Sequence, residues 1–240
     1  AVCMMITMLP LSAVTAFAAD TASSTEQEIS VGDYKYAYTV DAHGNATITE
    51  FRGPVDPAND GPYDIEIPTE LNGHPVTGLG ESSFSTDHFD SPLYDIHHTK
   101  IQSVTIPESV TSIGRAAFMN CTGLTSLTIK GVATSIGAVA FSTCTSLTSL
   151  SLVGSFQTIG EHAFASCNSL TSLSLTGNVQ KIGDYAFYSC PSLKTVTLPK
   201  SLTSIGLLAF GSCTSLDSIE IPGTVTEIGG FAFNNSGLIS

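Results

Sequence analysis

The chain is 240 residues long, 42% hydrophobic and only 12% charged, with a formal net charge of −13. It can bury a sizeable core, but it has nothing with which to neutralise phosphates, which argues against nucleic acid as a partner. The same sign disfavours electrostatic docking on an anionic membrane. Residues 1–100 hold fifteen acids and three bases, residues 101–240 six and five, so a boundary is expected near Lys100.

Taken in chain order, residues 1–19 read as an export signal. An apolar run from Val2 to Val14 leads into Ala16-Phe17-Ala18-Ala19-Asp20, a small-residue cleavage pattern. The run is too short for a stable span, so no membrane insertion is expected after cleavage. No Lys, Arg or initiator Met precedes it, and the signal is therefore read as N-terminally incomplete. Residues 20–33 read as a polar, disordered leader. Within 34–64, Tyr36 to Val40 and Ala46 to Thr49 carry strand signals. Residues 65–100 form an irregular segment, and 101–240 hold six regular frames.

Those frames dominate the sequence. Phe118, Phe141, Phe164, Phe187, Phe210 and Phe233 follow one another at a step of 23 residues, as do Cys121, Cys144, Cys167, Cys190 and Cys213. Ile-Gly pairs beginning at Ile113, Ile136, Ile159, Ile182, Ile205 and Ile228 keep the same step. In the frame opened by Leu147, Leu150 and Leu152 alternate with Ser149 and Ser151, which predicts a half-buried strand with its hydroxyls outward. Pro107, Pro199 and Pro222 end that strand in three frames. The glycine after each Ile suits a positive φ or a close approach to a neighbour. The Ala-Phe-x-x-Cys spacing, as in Ala163-Phe164 to Cys167, predicts a short helical turn. No frame can bury its own Leu, Ile and Phe, so frames must stack, with parallel strands about 4.8 Å apart.

The pattern Leu-x-Ser-[Leu/Val]-x-[Ile/Leu]-Pro, then Val-Thr-x-Ile-Gly-x-x-Ala-Phe-x-x-Cys, resembles the BspA-type leucine-rich repeat of bacterial surface proteins. Ile65 to Phe84 looks like that family's lengthened first repeat, and the strand signals before it resemble its N-terminal cap. The resemblance covers residues 34–240. It implies an α/β repeat solenoid with short parallel strands on one face, short helical turns on the other and a small β-rich cap. It also implies secretion, surface display and adhesion to host matrix proteins or to other cells. Glycan is a further ligand class, although the strand face has no aromatic rings on which a sugar could stack, and no cofactor is expected.

Two departures stand out. Phe84 and Phe118 lie 34 residues apart, so eleven extra residues fall within Ser85–Lys100. The last frame has Ser236 where Cys is expected, and no polar cap follows. The chain is therefore read as C-terminally truncated.

The candidate sites divide by chemistry. The five cysteines lack the Cys-x-x-Cys pairing of zinc sites and read as small buried hydrophobes. In the insertion, Asp87, His88, Asp90, Asp95, His97 and His98 are metal-compatible but match no known ligand spacing, and a solvated acidic loop is the favoured reading; Phe89, Tyr94, His97 and His98 are its candidate contacts. The loop from Asp56 to Gly61 fails the alternation of a calcium loop. No Gly-x-Ser-x-Gly elbow occurs, no carboxylate pair can be assigned, and no acid partner follows from the position of His162, so no enzyme is expected. The favoured working surface is the outer strand face. One column there runs Ser103, Ser126, Ser149, Ser172, Thr195, Ser218; the other runs Thr105, Thr128, Ser151, Ser174, Thr197, Glu220. The competing reading is that these hydroxyls only keep the strands soluble. A structural spacer for a missing C-terminal domain is the alternative function, and a metal-dependent hydrolase is the least favoured. Tyr188 is a candidate exposed aromatic on the opposite side.

Overall fold

The computed structural model describes residues 25–85, 96–131 and 135–238. The export-signal segment lies outside them, as do Asp87, His88, Phe89, Asp90, Tyr94 and Asp95 of the insertion.

Each frame forms one coil of a solenoid and contributes three hydrogen-bonded segments. The first is the hydroxylated strand. β4 (Tyr63–Glu66), β7 (Ile101–Ile106), β9 (Ser126–Ile129) and β11 (Ser149–Leu152) pair in parallel. β13 (Ser172–Ser174) and β15 (Thr195–Thr197) form a separate parallel pair. Alternation decides the facing: in β7, Ile101, Val104 and Ile106 are buried while Gln102 is exposed.

The second segment is the short strand that carries each Ile. β6 (His74–Leu79) pairs in parallel with β8 (Ser112–Ile113), and the ladder continues through β10 (Ser135–Ile136), β12 (Thr158–Ile159), β14 (Lys181–Ile182), β16 (Ser204–Ile205) and β17 (Glu227–Ile228). The glycine after each Ile has a negative or extended φ, so close approach is what requires it. A methyl group at Gly137 would lie 2.5 Å from the Gly114 carbonyl oxygen, and one at Gly160 would lie 2.6 Å from that of Ile136.

The third segment corrects the helical expectation. Among the described residues there is no α-helix, only a 3₁₀ turn at Ile96–Lys100. The Ala-Phe-x-x-Cys segments are chains of tight turns. The amides of Ala117, Met119 and Cys121 close turns onto the carbonyls of Gly114, Ala116 and Phe118 at 3.4, 3.0 and 3.3 Å. The intervening amides of Ala116, Phe118 and Asn120 donate to Ala138, Ala140 and Ser142 of the next coil at 2.9, 2.7 and 2.9 Å. A helix would spend every amide within the coil. Here alternate amides are released to bond across coils, and the backbone accommodates this with left-handed residues, Ala116 at φ 54 and Asn120 at φ 62. Every later coil repeats the left-handed pair, ending with Phe231 and Asn235, and the bonds across coils run as far as Leu208, Phe210 and Ser212.

The core is a continuous ring stack. Phe84, Phe118, Phe141, Phe164, Phe187, Phe210 and Phe233 follow face to face at centroid distances of 4.5 to 5.6 Å. All are fully buried except Phe233, which no further coil of the described residues covers. Cys121, Cys144, Cys167, Cys190 and Cys213 line the same core as free thiols, each donating to a phenylalanine carbonyl of an earlier coil at 3.1 to 3.4 Å.

At the N-terminal end, β1 (Gln27–Val31), β2 (Tyr34–Val40) and β3 (Ala46–Pro54) form an antiparallel meander. The chain is thus already in a strand inside the segment expected to be a disordered leader, because β1 finds an edge on β2. β3 then pairs in parallel with β6, so the meander seals the Ile ladder. β5 (Glu70–Leu71) folds back on β6 through Asn72 and Gly73, both at positive φ (49 and 82), the geometry of a primed hairpin turn. The cap supplies its own ring to the stack: Phe51 lies 5.4 Å from Phe84, with the planes 16° apart.

Candidate binding surfaces

Pairing register builds the hydroxyl face. Ser103, Ser126 and Ser149 are direct neighbours on adjacent strands, as are Thr105, Thr128 and Ser151. Ser172 pairs with Thr195, and Ser174 with Thr197. All of these side chains are exposed or half-buried. Among the described residues, the hydroxyls of Ser126, Thr128, Ser149, Ser151, Ser172, Ser174, Thr195 and Thr197 bond to no other residue, which leaves both their donors and acceptors to the outside. The face is less regular than the sequence suggests. The ladder is broken between β11 and β13, and Ser218 and Glu220 lie outside any strand.

The register also extends the columns backwards, which the repeat spacing alone did not reveal. Asp64 sits beside Ser103 and accepts a hydrogen bond from its hydroxyl, and Glu66 sits beside Thr105. One column therefore starts on a carboxylate, and the other starts on Glu66 and reaches Glu220. A cleft of about 330 Å³ adjoins this end, lined by Asp60, Gly61, Pro62, Thr99, Lys100, Gln102 and Gly123. Lys100 pairs there with Asp60 and holds that carboxyl below the usual carboxylate range.

The two described histidines of the insertion turn inward. His97 Nδ1 lies 2.6 Å from the Tyr63 hydroxyl, and its imidazole packs on the Tyr63 ring at 5.6 Å. His98 is buried, edge-on to Phe51 at 6.2 Å. Both are packed into the junction between cap and coils, which leaves little of either for an external ligand. Asp56 and Asn59 spend side-chain oxygens on the amides of Ala58 and Gly61, at 2.9 and 3.1 Å, rather than converging on a point. Among the described residues, no group of three or more His, Cys, Asp or Glu is placed to hold a metal ion. Burial pushes the thiols up: Cys121, Cys144, Cys167 and Cys190 well above the usual range, and Cys213 to about 11. They are not nucleophiles at neutral pH.

The surface that sequence reasoning missed lies on the turns. The first left-handed residue of each coil is the buried Ala116, then Val139, His162, Tyr185 and Leu208, all half-buried, and Phe231 in the last described coil. Its signal was the residue before each Ala-Phe pair, which a helical reading of the segment obscured. Tyr188, half-buried, packs edge-on to Tyr185 at 5.5 Å.

The comparisons with known proteins agree with this architecture. The model of the BspA type leucine rich repeat region matches six copies, over residues 94–207 and 180–240. A leucine rich cell surface protein from Faecalibacterium prausnitzii is 33% identical, with a TM-score of 0.70 over 89% of this chain. A T. pallidum leucine rich repeat protein is 26% identical, with a TM-score of 0.68, and the match covers 85% of this chain and 86% of that one. One from Bacteroides ovatus is 26% identical, with a TM-score of 0.66, covering 88% of this chain and 57% of that one. The chain spans only 53% of the F. prausnitzii protein. No curated protein matches. Among the described residues, no helix is long and apolar enough to cross a membrane. With six matching repeats, the stacked coils and the phenylalanine column in register, the chain belongs to the BspA-type leucine-rich-repeat family.

Proposed function

We propose that this chain is the binding module of a bacterial surface protein that attaches its cell to host matrix proteins or to other cells. The observation that carries the reading is the outer strand face: a charge-poor array of eight unspent hydroxyls on a rigid, ring-stacked scaffold. Preorganised polar groups lose little entropy when a ligand engages them. The cell-surface description of the 33% identical relative supports the location. The face carries no aromatic platform, which favours protein over glycan.

The test is a panel of immobilised matrix proteins, bacterial surface extracts and glycans, probed with the purified chain at low and high salt. Saturable, salt-tolerant capture by a defined protein is expected. Binding only to glycans would move the ligand class, and an empty panel would favour the second reading, a rod that spaces another part of the protein from the cell. That reading draws on the stacking itself and on the greater length of two relatives.

A further inference from the structure

β1 is the outermost strand of the cap and pairs on one side only, with β2. Val31 faces Tyr34 across the two-residue turn Gly32-Asp33, in which Gly32 has φ 57 and Asp33 is not left-handed, the geometry of a type II′ hairpin. In such a hairpin the closing pair exchanges both backbone hydrogen bonds, and the pairs alternate from there. Val31, Ile29 and Gln27 therefore spend their amides and carbonyls on β2, while those of Ser30 and Glu28 point to the open edge. Among the described residues, no backbone bond reaches either of them from that side. The side chains divide in the same register. Ile29 and Val31 pack on the core but stay only half-buried, and Glu26, Glu28 and Ser30 are exposed on the opposite face. An open backbone edge above a partly covered apolar row is what an added strand requires.

Charge and shape select the occupant. Residues 25–85 hold eleven acids and two bases. Arg52 alone serves Glu26, Glu28 and Glu50, at 3.2, 2.9 and 2.8 Å, so the carboxylates beside the edge outnumber their cation three to one. At the turn end of β1 lies a cleft of about 410 Å³, lined by Gly32, Asp33, Val55, Asp56 and Asn59. Val55 is 41% exposed there, and no described cation pairs with Asp33 or Asp56. Such a cleft suits a lysine or arginine, its methylenes on the valine and its charge at the acids. A second copy pairing edge to edge would bring the same carboxylates together, against like charge. We propose that β1 accepts an added strand from a partner protein, an extended segment that alternates apolar residues with lysine or arginine. This surface is separate from the hydroxyl strands and stands whether or not they bind.

The probe is a fluorescent peptide of repeated Val-Lys. The controls are Val-Glu and Ser-Lys peptides and the Val-Lys peptide with its backbone amides N-methylated. The wild-type chain should bind the probe about tenfold more tightly than any control, and the complex should slow hydrogen exchange at the amides of Ser30 and Glu28. Ser30→Pro removes an outward amide without touching the ladder to β2, and should abolish the preference at an unchanged melting point. Asp33→Asn with Asp56→Asn should weaken the probe alone. The hydroxyl-face variant Ser149→Gln, Ser172→Gln should keep the preference. Equal binding of the N-methylated peptide, exchange at Ser30 and Glu28 that the probe leaves unchanged, or full binding by Ser30→Pro would each overturn the proposal. If Ser30→Pro melts several degrees lower, the exchange measurement on the wild-type chain decides. Peptide preference with an empty matrix panel would keep the edge strand and sink the adhesion reading. Matrix capture without peptide preference would do the reverse.

Discussion

The rings of Phe84 and Phe118 stack at 4.5 Å although 34 positions separate them where every later pair is 23 apart. The inserted residues leave the core without a step. The thiol hydrogen bonds show the same offset: Cys121 reaches back 37 residues to Phe84, and the later cysteines reach back 26. The solenoid therefore begins at Phe84, on a ring supplied by the cap.

Truncating that column should cost stability in proportion to burial. Phe141→Ala and Phe164→Ala are expected to lose about 3–5 kcal/mol each, and Phe233→Ala clearly less, because its ring is covered on one face only. Denaturant titration of the three variants checks the order.

Adding one methyl group should separate two kinds of glycine. Gly160→Ala drives a Cβ to 2.6 Å from the Ile136 carbonyl, a backbone atom that cannot swing away, and should destabilise strongly. Gly223→Ala meets nothing within 4 Å and should be neutral or stabilise by up to about 1 kcal/mol. Thermal melts of the pair are sufficient.

Alkaline pH should weaken the fold through the cysteines. Their folded pKa values are raised by burial, whereas an unfolded thiol ionises near 9. Above that pH the unfolded chain binds fewer protons than the native one, so stability falls as pH rises, by up to about 1.4 kcal/mol per unit for each thiol. The loss is absent below the unfolded value and continues until each folded thiol ionises, first at Cys213, near 11. Melting temperatures should fall in this way between pH 8 and 10.5, and fall less steeply with pH in a Cys144→Ala, Cys167→Ala variant. Native Cys144 should also resist thiol reagents that label it at once in denaturant.

The hydroxyl face should be separable from folding. Ser149→Gln with Ser172→Gln changes exposed positions and should shift stability by no more than about 0.5 kcal/mol per site. Loss of ligand capture by this variant, read by surface plasmon resonance, is the expected result if the face binds.

The coil, its strands and its columns were legible because stacking forces a fixed period on whatever is buried. Phe118 to Phe233 and Cys121 to Cys213 announce their neighbours by spacing alone. The turns were not legible, because three-residue closure from Gly114 to Ala117 looks the same in sequence whether the intervening amides stay in the coil or leave it. The direction of His97 and His98 was equally hidden. It depends on Tyr63 and Phe51, contributed by the cap, and no local pattern connects them. The column of turn side chains escaped for the first reason, since only the left-handed backbone of Tyr185 and Leu208 sets their side chains apart.

The hydroxylated strands shorten along the solenoid, from the six residues of β7 to the three of β15, and no strand follows in the last described coil. Each coil is secured only by its neighbours, so protection against hydrogen exchange should fall along the same axis. The amides of β7 and β9 would be the last to exchange and those beyond β15 the first. Force applied through a bound ligand would then be resisted unequally by different coils, most by those around β7 and β9, so that the resistance of an attachment would depend on which coil holds it.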